Sequence, residues 1–487
     1  MRGADREHAC CLTNRSATSE NYSKTLDDAG LPVTFLTGRR DLRGENAQLQ
    51  RTSTDDKLMR FRNCLFLFSL TISAVAGASA CANGGREPSP GAVDSSPAIL
   101  PPVAQTPVTP QERQLYLDAA RTSWNLVNRI TEPSTGLARA HAKYSYVTLW
   151  DIAGVIAANY AAHELAFIDD VTYDAHMQRI LATLTTVDLF DRTAFNRIYD
   201  AKTGRMVDNA GKISSVGAGW SSVDIGRLLV WLRIISTKQP KYLPLATQVV
   251  RRLNMSKVLD DGFLRGLQVD PKTGKRETFT EDEIGYQQYA LTGFSMWGAR
   301  VNPAGLDVRE NVAAIKVLGT RLLISSPGND RVMSEPFIMI GMETGFRTPD
   351  IARQASQVLA AQMARYQQTK IVTAVTEDAL PDPPYYFYYY SVYHRGTSFV
   401  VESLDDKVVA RPRWVSSKAA FGWNAVLPNA YTQLLLRTVR PAATPDGWGS
   451  GVYEDTLLPT GVPSLNTAAL IMESALYKTR GRPILAN

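Results

Sequence analysis

The chain has 487 residues, of which 44% are hydrophobic and 21% charged, a composition typical of a globular protein with a large core. Its net charge is +6, but the lysines and arginines are scattered and form no basic run, so we expect no nucleic-acid partner. All four cysteines lie at or before Cys81, which excludes cysteine catalysis in the remainder of the chain. The five histidines show no metal-ligand spacing, and there is no nucleotide-binding motif, so we expect no metal and no cofactor.

The N-terminal part has the pattern of a targeting region. Residues 59–81 combine a basic start, an apolar stretch and small residues before Cys81, which is typical of a secretory signal peptide. Residues 78–81 resemble a lipobox and would place a lipid anchor on Cys81; the alternatives are Ala-x-Ala cleavage and a buried hydrophobic helix. Residues 1–58 are predicted to be an over-called start or a disordered extension. Residues 82–110, rich in Pro, Ser, Gly and Ala, are predicted to be a flexible tether. We therefore expect export, to the periplasm or as an outer-membrane-anchored lipoprotein, with membrane contact only through Cys81.

Helical periodicity begins at Gln111 and predicts one domain over residues 111–487. Apolar residues recur there at i, i+3, i+4 and i+7. The predicted helices are 111–130, 148–166, 173–187, 222–236, 243–253, 284–298, 310–320, 336–343, 351–367, 417–438 and 466–478. The connections are long and uneven, unlike those of a solenoid. The pattern predicts an all-α protein, an (α/α)6-type toroid with short β-hairpin inserts.

Two near-identical turns mark the predicted inserts. Residues 200–205 read Asp-Ala-Lys-Thr-Gly-Arg, and residues 270–275 read Asp-Pro-Lys-Thr-Gly-Lys. Gly204 and Gly274 would supply the positive φ that such turns need. The aromatic run at residues 384–390 is either a stacking platform or a half-buried strand, and its β-forming residues favour the strand.

Asp224 is the first candidate catalytic residue. It lies in the first turn of the predicted helix 222–236, after the Gly-rich segment 217–219 and next to Trp220. A carboxylate at a helix N-terminus either stabilises that helix through the helix dipole or presents its charge to a cleft. Trp150 and Asp151 occupy the same position in the predicted helix 148–166 and leave the same two alternatives open.

A second group of candidates precedes and begins the helix 284–298. Three acids, residues 281–283, come before it, and we select Glu283 as a candidate acid. Tyr286, Gln287, Gln288 and Trp297 would supply the hydrogen-bonding and stacking groups that bind sugars. The alternative is that the acids only complement the helix dipole.

A third group lies in residues 447–455, a glycine-rich segment that we predict to be a flexible substrate loop. Trp448, Tyr453 and Asp455 are candidate substrate-binding residues, and Glu454 is a second candidate for the acid. The alternative is an edge loop held on the domain by its aromatic side chains.

These motifs resemble the bacterial family known as domain of unknown function 3131. The resemblance covers the chain from about Gln111 onward, through residues 149–153, 195–204, 220–224, 285–289 and 453–454. More distantly, the chain is similar to the glucoamylase-like (α/α)6 domains of β-1,2-glucan hydrolases and cyclic glucan synthases. That resemblance implies that Asp224 matches the acid of their first motif. Where those domains have Tyr-Asn-Glu-Ala, however, this chain has Tyr-Gln-Gln-Tyr at 286–289, with no carboxyl.

The candidates suit glycosidic cleavage, which needs one carboxyl as an acid and another as a base or nucleophile. We predict a glycoside hydrolase or transglycosylase that acts on a bacterial β-glucan or exopolysaccharide, with Asp224 as the base or as the residue that positions water, and Glu283 or Glu454 as the acid. The partner would be a polysaccharide or oligosaccharide. The alternative is a non-catalytic glycan-binding or scaffold lipoprotein of the cell envelope. A third hypothesis is a polysaccharide lyase, with Tyr453 as the base near Arg411 and Arg413.

Overall fold

The computed structural model describes residues 108–308, 311–383, 386–404, 406–461 and 463–486. The predicted start, signal peptide and lipid anchor at Cys81, and all but the end of the predicted tether, lie outside these residues. Within them, no helix is both long enough and apolar enough to cross a membrane.

The α-helices agree closely with the predicted periodicity. They are α1 (Pro110–Ile130), α2 (Leu149–Glu164), α3 (Asp170–Thr186), α4 (Ser222–Lys238), α5 (Leu243–Arg251), α6 (Met255–Val258), α7 (Tyr286–Met296), α8 (Pro303–Leu306), α9 (Glu335–Met339), α10 (Pro349–Thr369), α11 (Ser417–Val426), α12 (Ala430–Val439) and α13 (Leu465–Arg480). The predicted helix 417–438 is two helices, because residues 427–429, which include Pro428, interrupt it.

The strands are short and lie between the helices. They are β1 (Tyr146–Thr148), β2 (Leu189–Phe190), β3 (Ala194–Phe195), β4 (Ile198–Asp200), β5 (Gly219–Trp220), β6 (Leu259–Asp260), β7 (Phe263–Val269), β8 (Arg276–Thr280), β9 (Val312–Val317), β10 (Thr320–Ser325), β11 (Glu377–Ala379), β12 (Phe387–His394), β13 (Thr397–Ser403), β14 (Val408–Val409), β15 (Trp414–Ser416), β16 (Ala443–Thr444), β17 (Gly447–Trp448) and β18 (Gly451–Tyr453). The chain is thus mainly helical, but strands contribute more than the predicted hairpin inserts: β11, β12, β13 and β14 form a four-stranded antiparallel sheet.

The two predicted turns have the same hydrogen bonds. In the first, Gly204 N–H donates to Asp200 O (2.8 Å); in the second, Gly274 N–H donates to Asp270 O (2.9 Å). The second turn joins β7 to β8 in a hairpin. The first does not close a long hairpin, because β4 pairs with β1, directly before α2.

The predicted helix 310–320 is wrong, because β9 and β10 form an antiparallel hairpin there. Its two turn residues, Leu318 and Gly319, have φ values of 48° and 84°. Positive φ at both central residues fits a tight hairpin turn that follows the twist of the strands. Leucine seldom adopts this conformation, so the sequence carries only half of the usual turn signal.

Six helices contact one another in a closed order. Helix α2 packs against α4, α4 against α7, α7 against α9, α9 against α11, α11 against α13, and α13 against α2. The approach of α4 to α7 is close because Gly226 and Gly293 lie at the crossing, where a Cβ on Gly226 would be 2.4 Å from Ala290 Cα. Helix α2 is buried on nearly every side, which explains why its sequence is apolar all round.

Candidate functional site

The N-termini of the six contacting helices meet at one place. The Trp150 ring of α2 is 5.6 Å from the Tyr286 ring of α7, centroid to centroid. Asn466 of α13 donates to Glu335 of α9 (Nδ2 to Oε1, 3.3 Å). Lys418 of α11 forms an ion pair with the same Glu335, and Arg227 of α4 lies 3.6 Å from it. Polar first-turn residues, scattered along the sequence, are therefore brought together.

A buried ionic cluster around Arg227 and Lys418 lies where the helix N-termini meet. Arg227 is fully buried and lies 3.1 Å from Glu473. Lys418 is also buried, and Asp378 lies 4.0 Å from its Nζ. Burial raises the pKa of Asp378 and that of Glu377 to about 7. Carboxyls outnumber cations here, so some of them are protonated near neutral pH.

Trp150 packs against this cluster and is only half-buried. Its ring packs edge-on against Tyr286 and Tyr289, and the Arg227 guanidinium is 4.4 Å from its centroid on one face. Tyr286 in turn donates from its hydroxyl to Glu377. The predicted pair Trp150 and Tyr286 therefore shares one site, and a cation–π contact holds the indole in place.

Asp224 and Asp151 are neighbours at this site, each in the first turn of its helix. The Ser221 hydroxyl caps α4 and lies 3.1 Å from Asp224 Oδ1, while Thr148 Oγ1 donates to Asp151 Oδ2 (2.8 Å). Burial raises the pKa of both carboxyls, that of Asp151 to about 6, and their mutual repulsion adds to the effect on Asp151. The charge of Arg197 opposes the shift at Asp224.

Glu281 joins this pair although the sequence analysis did not select it. Its Oε2 accepts from the N–H groups of Ser222 (2.5 Å) and Val223 (3.3 Å), so it occupies the N-terminus of α4 beside Asp224. Burial raises the pKa of Glu281 to about 7, with a further contribution from Asp224. The sequence analysis counted it among the three acids at 281–283, but nothing in the local sequence distinguishes it from Glu283.

Glu283 lies toward β12 and residues 329–331. Its Oε2 accepts from Asn329 Nδ2 (3.0 Å) and is 3.8 Å from Arg331 Nη1, whereas its Oε1 has no hydrogen-bond partner among the described residues. Burial raises the pKa of Glu283 to about 8, and Glu377 contributes by repulsion. A carboxyl that keeps its proton near neutral pH and has a free oxygen can act as an acid.

Arg197 lies near Asp224 and Glu281, and Tyr389 lies near both Arg197 and Glu283. The sequence analysis missed Arg197 and included Tyr389 only as part of the aromatic run 384–390. Arg197 influences the pKa values of Asp224 and Glu281, and also that of Tyr389, which Glu283 influences as well. The backbone of Arg197 bridges two helix starts, since its O accepts from Leu149 N–H and its N–H donates to Gly219 O, both at 2.9 Å. An arginine in an irregular segment carries no signal of this role in the sequence.

Glu454 lies in a different environment. It accepts both ends of the Arg365 guanidinium (2.6 and 2.8 Å) and the Tyr390 hydroxyl (2.8 Å). Tyr390 and Tyr389 are consecutive in β12 and so point to opposite faces of the sheet. None of the described contacts of Glu454 involves Asp224, Glu281 or Glu283, so the structure does not bring this predicted acid to the site.

The other residues of the predicted substrate loop are also held elsewhere. The loop contains β17 and β18, and β18 pairs with β15, so it is not the flexible loop that we expected. Trp448 is buried against Phe421 (4.9 Å between ring centroids), Tyr453 donates to Asp382 (2.6 Å), and Asp455 pairs with Arg411. For the lyase hypothesis, Arg411 and Arg413 are thus engaged, the latter with Tyr390 and Phe399 O.

Of four further candidates, three have structural contacts. Trp220 is buried and donates to Arg265 O (2.8 Å). Trp297 donates to Leu229 O (2.9 Å) at the far end of α7, roughly 16 Å along the axis from Tyr286. Gln288 caps α7 by accepting from Gly285 N–H (2.6 Å) and donating to Gly305 O (3.3 Å). Gln287 is buried, and its Oε1 has no partner among the described residues.

The fold is similar to that of several solved structures at low sequence identity. An endo-β-1,2-glucanase from Chitinophaga pinensis, in complex with sophorotriose and glucose, matches with a TM-score of 0.57 and 12% identity, over 76% of this chain and 93% of that one. A candidate glucoamylase from Bacteroides caccae gives 0.56 and 14%, over 77% and 94%. An endo-β-1,2-glucanase from Talaromyces funiculosus, in complex with sophorose, gives 0.52 and 9%, over 76% and 85%.

The sequence comparisons give a family and no characterised relative. No curated protein matches the chain. A family model described as "Protein of unknown function (DUF3131)" matches residues 118–481. This match includes every residue of the site described above and three quarters of the chain, and it agrees with the resemblance seen in the motifs. The chain therefore belongs to the DUF3131 family.

Proposed function

We propose that the protein is a glycoside hydrolase or transglycosylase whose active site is the place where the six helix N-termini meet. We infer that these six helices, α2, α4, α7, α9, α11 and α13, are the inner ring of an (α/α)6 toroid. Their closed order of contacts supports this, as does the similarity to solved structures of carbohydrate-active proteins. Polar side chains at the helix N-termini would then face the central cavity.

The observation that carries the proposal is that two carboxyls in different environments border the same buried cluster, Glu283 beside Glu377 and Asp224 beside Arg227. Glu283 has a pKa of about 8 and an oxygen without a described partner, which suits a general acid that protonates the leaving oxygen. Asp224 is held at the N-terminus of α4, where burial raises its pKa and Arg197 partly opposes that shift; a carboxyl whose pKa is raised toward the working pH suits a general base. Glu281 lies next to Asp224 and would help to position the attacking water.

The aromatic lining supports a sugar ligand. Trp150 offers a half-buried indole, and Tyr389 lies beside Glu283. Tyr144 and Tyr146 stack on each other with ring centroids 5.1 Å apart, and Tyr146 is close enough to Asp151 for that carboxyl to raise its pKa, after the larger effect of burial. Flat aromatic faces next to carboxyls are suited to binding pyranose rings and cleaving the bond between them.

The solved structures of similar fold suggest which substrates to test first. Two of them are endo-β-1,2-glucanases, so a β-1,2-glucan is the first choice, followed by other bacterial β-glucans and exopolysaccharides. In this chain the Gln288 side chain caps α7. We therefore assign it no catalytic role. The acid role falls to Glu283 in our proposal, and Glu454 is left as a structural residue.

The test is cleavage of a glucan panel by the purified protein, with oligosaccharide products detected by mass spectrometry. We expect the Glu283→Gln and Asp224→Asn variants each to lose at least a hundredfold in kcat, since general acid–base catalysis contributes about 10² to 10⁴. Glu277→Gln, an exposed glutamate on β8, is the matched control and should keep full activity. Glucan retention without products in the wild type would favour the non-catalytic, glycan-binding alternative.

We further propose that the protein is exported and anchored through Cys81, as the signal-like segment 59–81 suggests. Fractionation of cells that express the full chain would place it with the membrane, and Cys81→Ser would release it. Unchanged membrane association in Cys81→Ser would contradict the anchor.

A further inference from the structure

A polar pocket of about 350 Å³ lies next to Glu283 and plays no part in the catalytic roles assigned above. It is lined by residues 328–331, by His394 and Arg395 at the β12–β13 turn, and by Asp406. Its volume falls in the range of small-molecule sites, about 300 to 1,000 Å³. Nothing in the assigned chemistry requires this space.

The pocket is joined to the candidate acid through two of its lining residues. Asn329 Nδ2 donates to Glu283 Oε2 (3.0 Å), and Arg331 Nη1 lies 3.8 Å from the same oxygen. The Arg331 guanidinium also lies over the Tyr389 ring, 4.5 Å from its centroid. Asn329 and Arg331 therefore line the pocket and also contact Glu283, so a ligand in the pocket would be one side chain away from the acid.

The lining carries both signs of charge, and several of its side chains contact one another. His394 Nδ1 is 2.5 Å from Asp330 Oδ1, which also accepts from Arg395 N–H (3.1 Å). Behind them, the buried carboxylate of Glu402 is 3.0 Å from Arg331 Nη2, and it is also 3.3 Å from His394 Nε2. An anionic ligand would be repelled by Asp330 and Asp406, and a cationic ligand would be repelled by Arg331 and Arg395.

The chemistry of the lining selects one class of ligand. No large apolar side chain is among the lining residues, which argues against aryl or alkyl groups. Donors and acceptors alternate within a space of sugar-ring size, and charged side chains form strong hydrogen bonds with neutral hydroxyl groups. We propose that this pocket is a binding subsite for one uncharged pyranose unit of the glycan, next to the unit that Glu283 protonates. This inference rests on the proposed function.

The test compares substrates long enough to reach the pocket with shorter ones. Arg395→Ala removes a half-exposed wall residue, and the buried Glu402 keeps its contacts with Arg331 and His394. We expect the ratio of kcat/KM for long to short oligosaccharides of the cleaved glucan to fall about tenfold, mainly through KM, as the loss of a charged hydrogen bond predicts. Arg321→Ala, an exposed arginine on β10, is the matched control and should leave the ratio unchanged.

A binding measurement separates failure of the pocket from failure of the proposed reaction. Calorimetry with long and short glucan oligosaccharides would compare Asp224→Asn with Asp224→Asn/Arg395→Ala. A length-dependent loss of affinity supports the subsite even if the wild type releases no products. Equal affinities and an unchanged kcat/KM ratio would overturn it. Tighter binding of inorganic phosphate than of the oligosaccharide at this pocket would also overturn it, because the site would then be one for anions.

Discussion

At the scale of single residues, environment rather than identity distinguishes the carboxyls. Glu283 and Glu454 were equal candidates in the sequence, since both are glutamates near aromatic residues. In the structure Glu454 is neutralised by both nitrogens of Arg365, whereas Glu283 has one oxygen without a described partner and a pKa raised to about 8. The sequence predicted the residue types of the site, and it could not predict which carboxyl meets which cation.

The first prediction concerns the alkaline side of the pH–rate profile. Glu283 must be protonated to donate, so kcat/KM should fall as the pH rises through about 8. The hydrogen bond from Asn329 favours the carboxylate form of Glu283 and so lowers its pKa. Asn329→Ala should therefore raise the pKa of Glu283 and move the alkaline limb of the profile to higher pH. Asn125→Ala, on the exposed face of α1, is the control. An alkaline limb that does not move in Asn329→Ala would argue against Glu283 as the donor.

The second prediction concerns Glu454. Its side chain is 6% exposed and that of Arg365 10%, so Glu454→Gln leaves a mostly buried arginine without its counter-ion. We expect the free energy of unfolding to fall by about 3 kcal/mol, with little change in kcat per folded molecule. Asp446→Asn breaks the exposed Arg129 pair and should cost less than about 1 kcal/mol. Urea denaturation measures both. A large loss of kcat in folded Glu454→Gln would restore Glu454 as an acid candidate.

At the scale of elements, local sequence predicts where a helix starts and which of its faces is buried. It does not predict which other element packs or pairs with it. Thr148, Ser221 and Ser464 cap α2, α4 and α13 as their residue types predict. The hairpin β9–β10 was misread as a helix because its short apolar run fits either period. Of the sheet formed by β11 to β14, only a strand at 384–390 was predicted, for a related reason. Glu377 and Val408 lie on its opposite edges and are linked only through the pairing of Tyr389 with Glu402 between them, which no local pattern shows.

The third prediction tests the crossing of α4 and α7. In Gly226→Ala the new Cβ would lie 2.4 Å from both Cα and Cβ of Ala290, which is backbone of the facing helix and cannot turn away. We expect the helices to separate and the unfolding free energy to fall by about 1 to 3 kcal/mol. Activity should also fall, because α4 carries Asp224 and α7 begins at Tyr286. Ser295→Ala, exposed on α7, should change stability by less than about 0.5 kcal/mol. An unchanged unfolding midpoint in Gly226→Ala would show that the crossing tolerates a methyl group.

At the scale of the whole molecule, buried carboxyls make stability depend on pH. Burial raises the pKa of Asp151 to about 6, those of Glu281, Glu377 and Asp378 to about 7, and that of Glu283 to about 8. In the unfolded chain these groups titrate near about 4. Between those values the folded protein binds more protons than the unfolded chain, so its stability decreases as the pH rises.

The fourth prediction follows from this sign. The unfolding free energy should be higher at pH 5 than at pH 8.5, when measured by urea denaturation at constant ionic strength. Asp378→Asn removes one of the titrating groups and should reduce the difference. Glu335 acts in the other direction: although it is buried, Lys418 and Arg227 hold its pKa below the usual value, so its contribution is lost as the pH falls through that lowered pKa. Equal stability at the two pH values would show that the buried acids are already ionised in the folded protein.

The sequence by itself determined most of the helices, because the 3.6-residue apolar period and the capping residues are local properties. It also determined the family, through motifs such as residues 220–224, and it singled out Asp224, whose place in the first turn of α4 depends on only a few neighbours. Tertiary structure alone decided the remainder of the site. Glu281 reaches the N-terminus of α4, and Arg197 lies near Asp224, through contacts that join distant segments of the chain. The pKa of a carboxyl depends on how fully it is buried and which charge lies beside it, and a one-dimensional pattern contains neither.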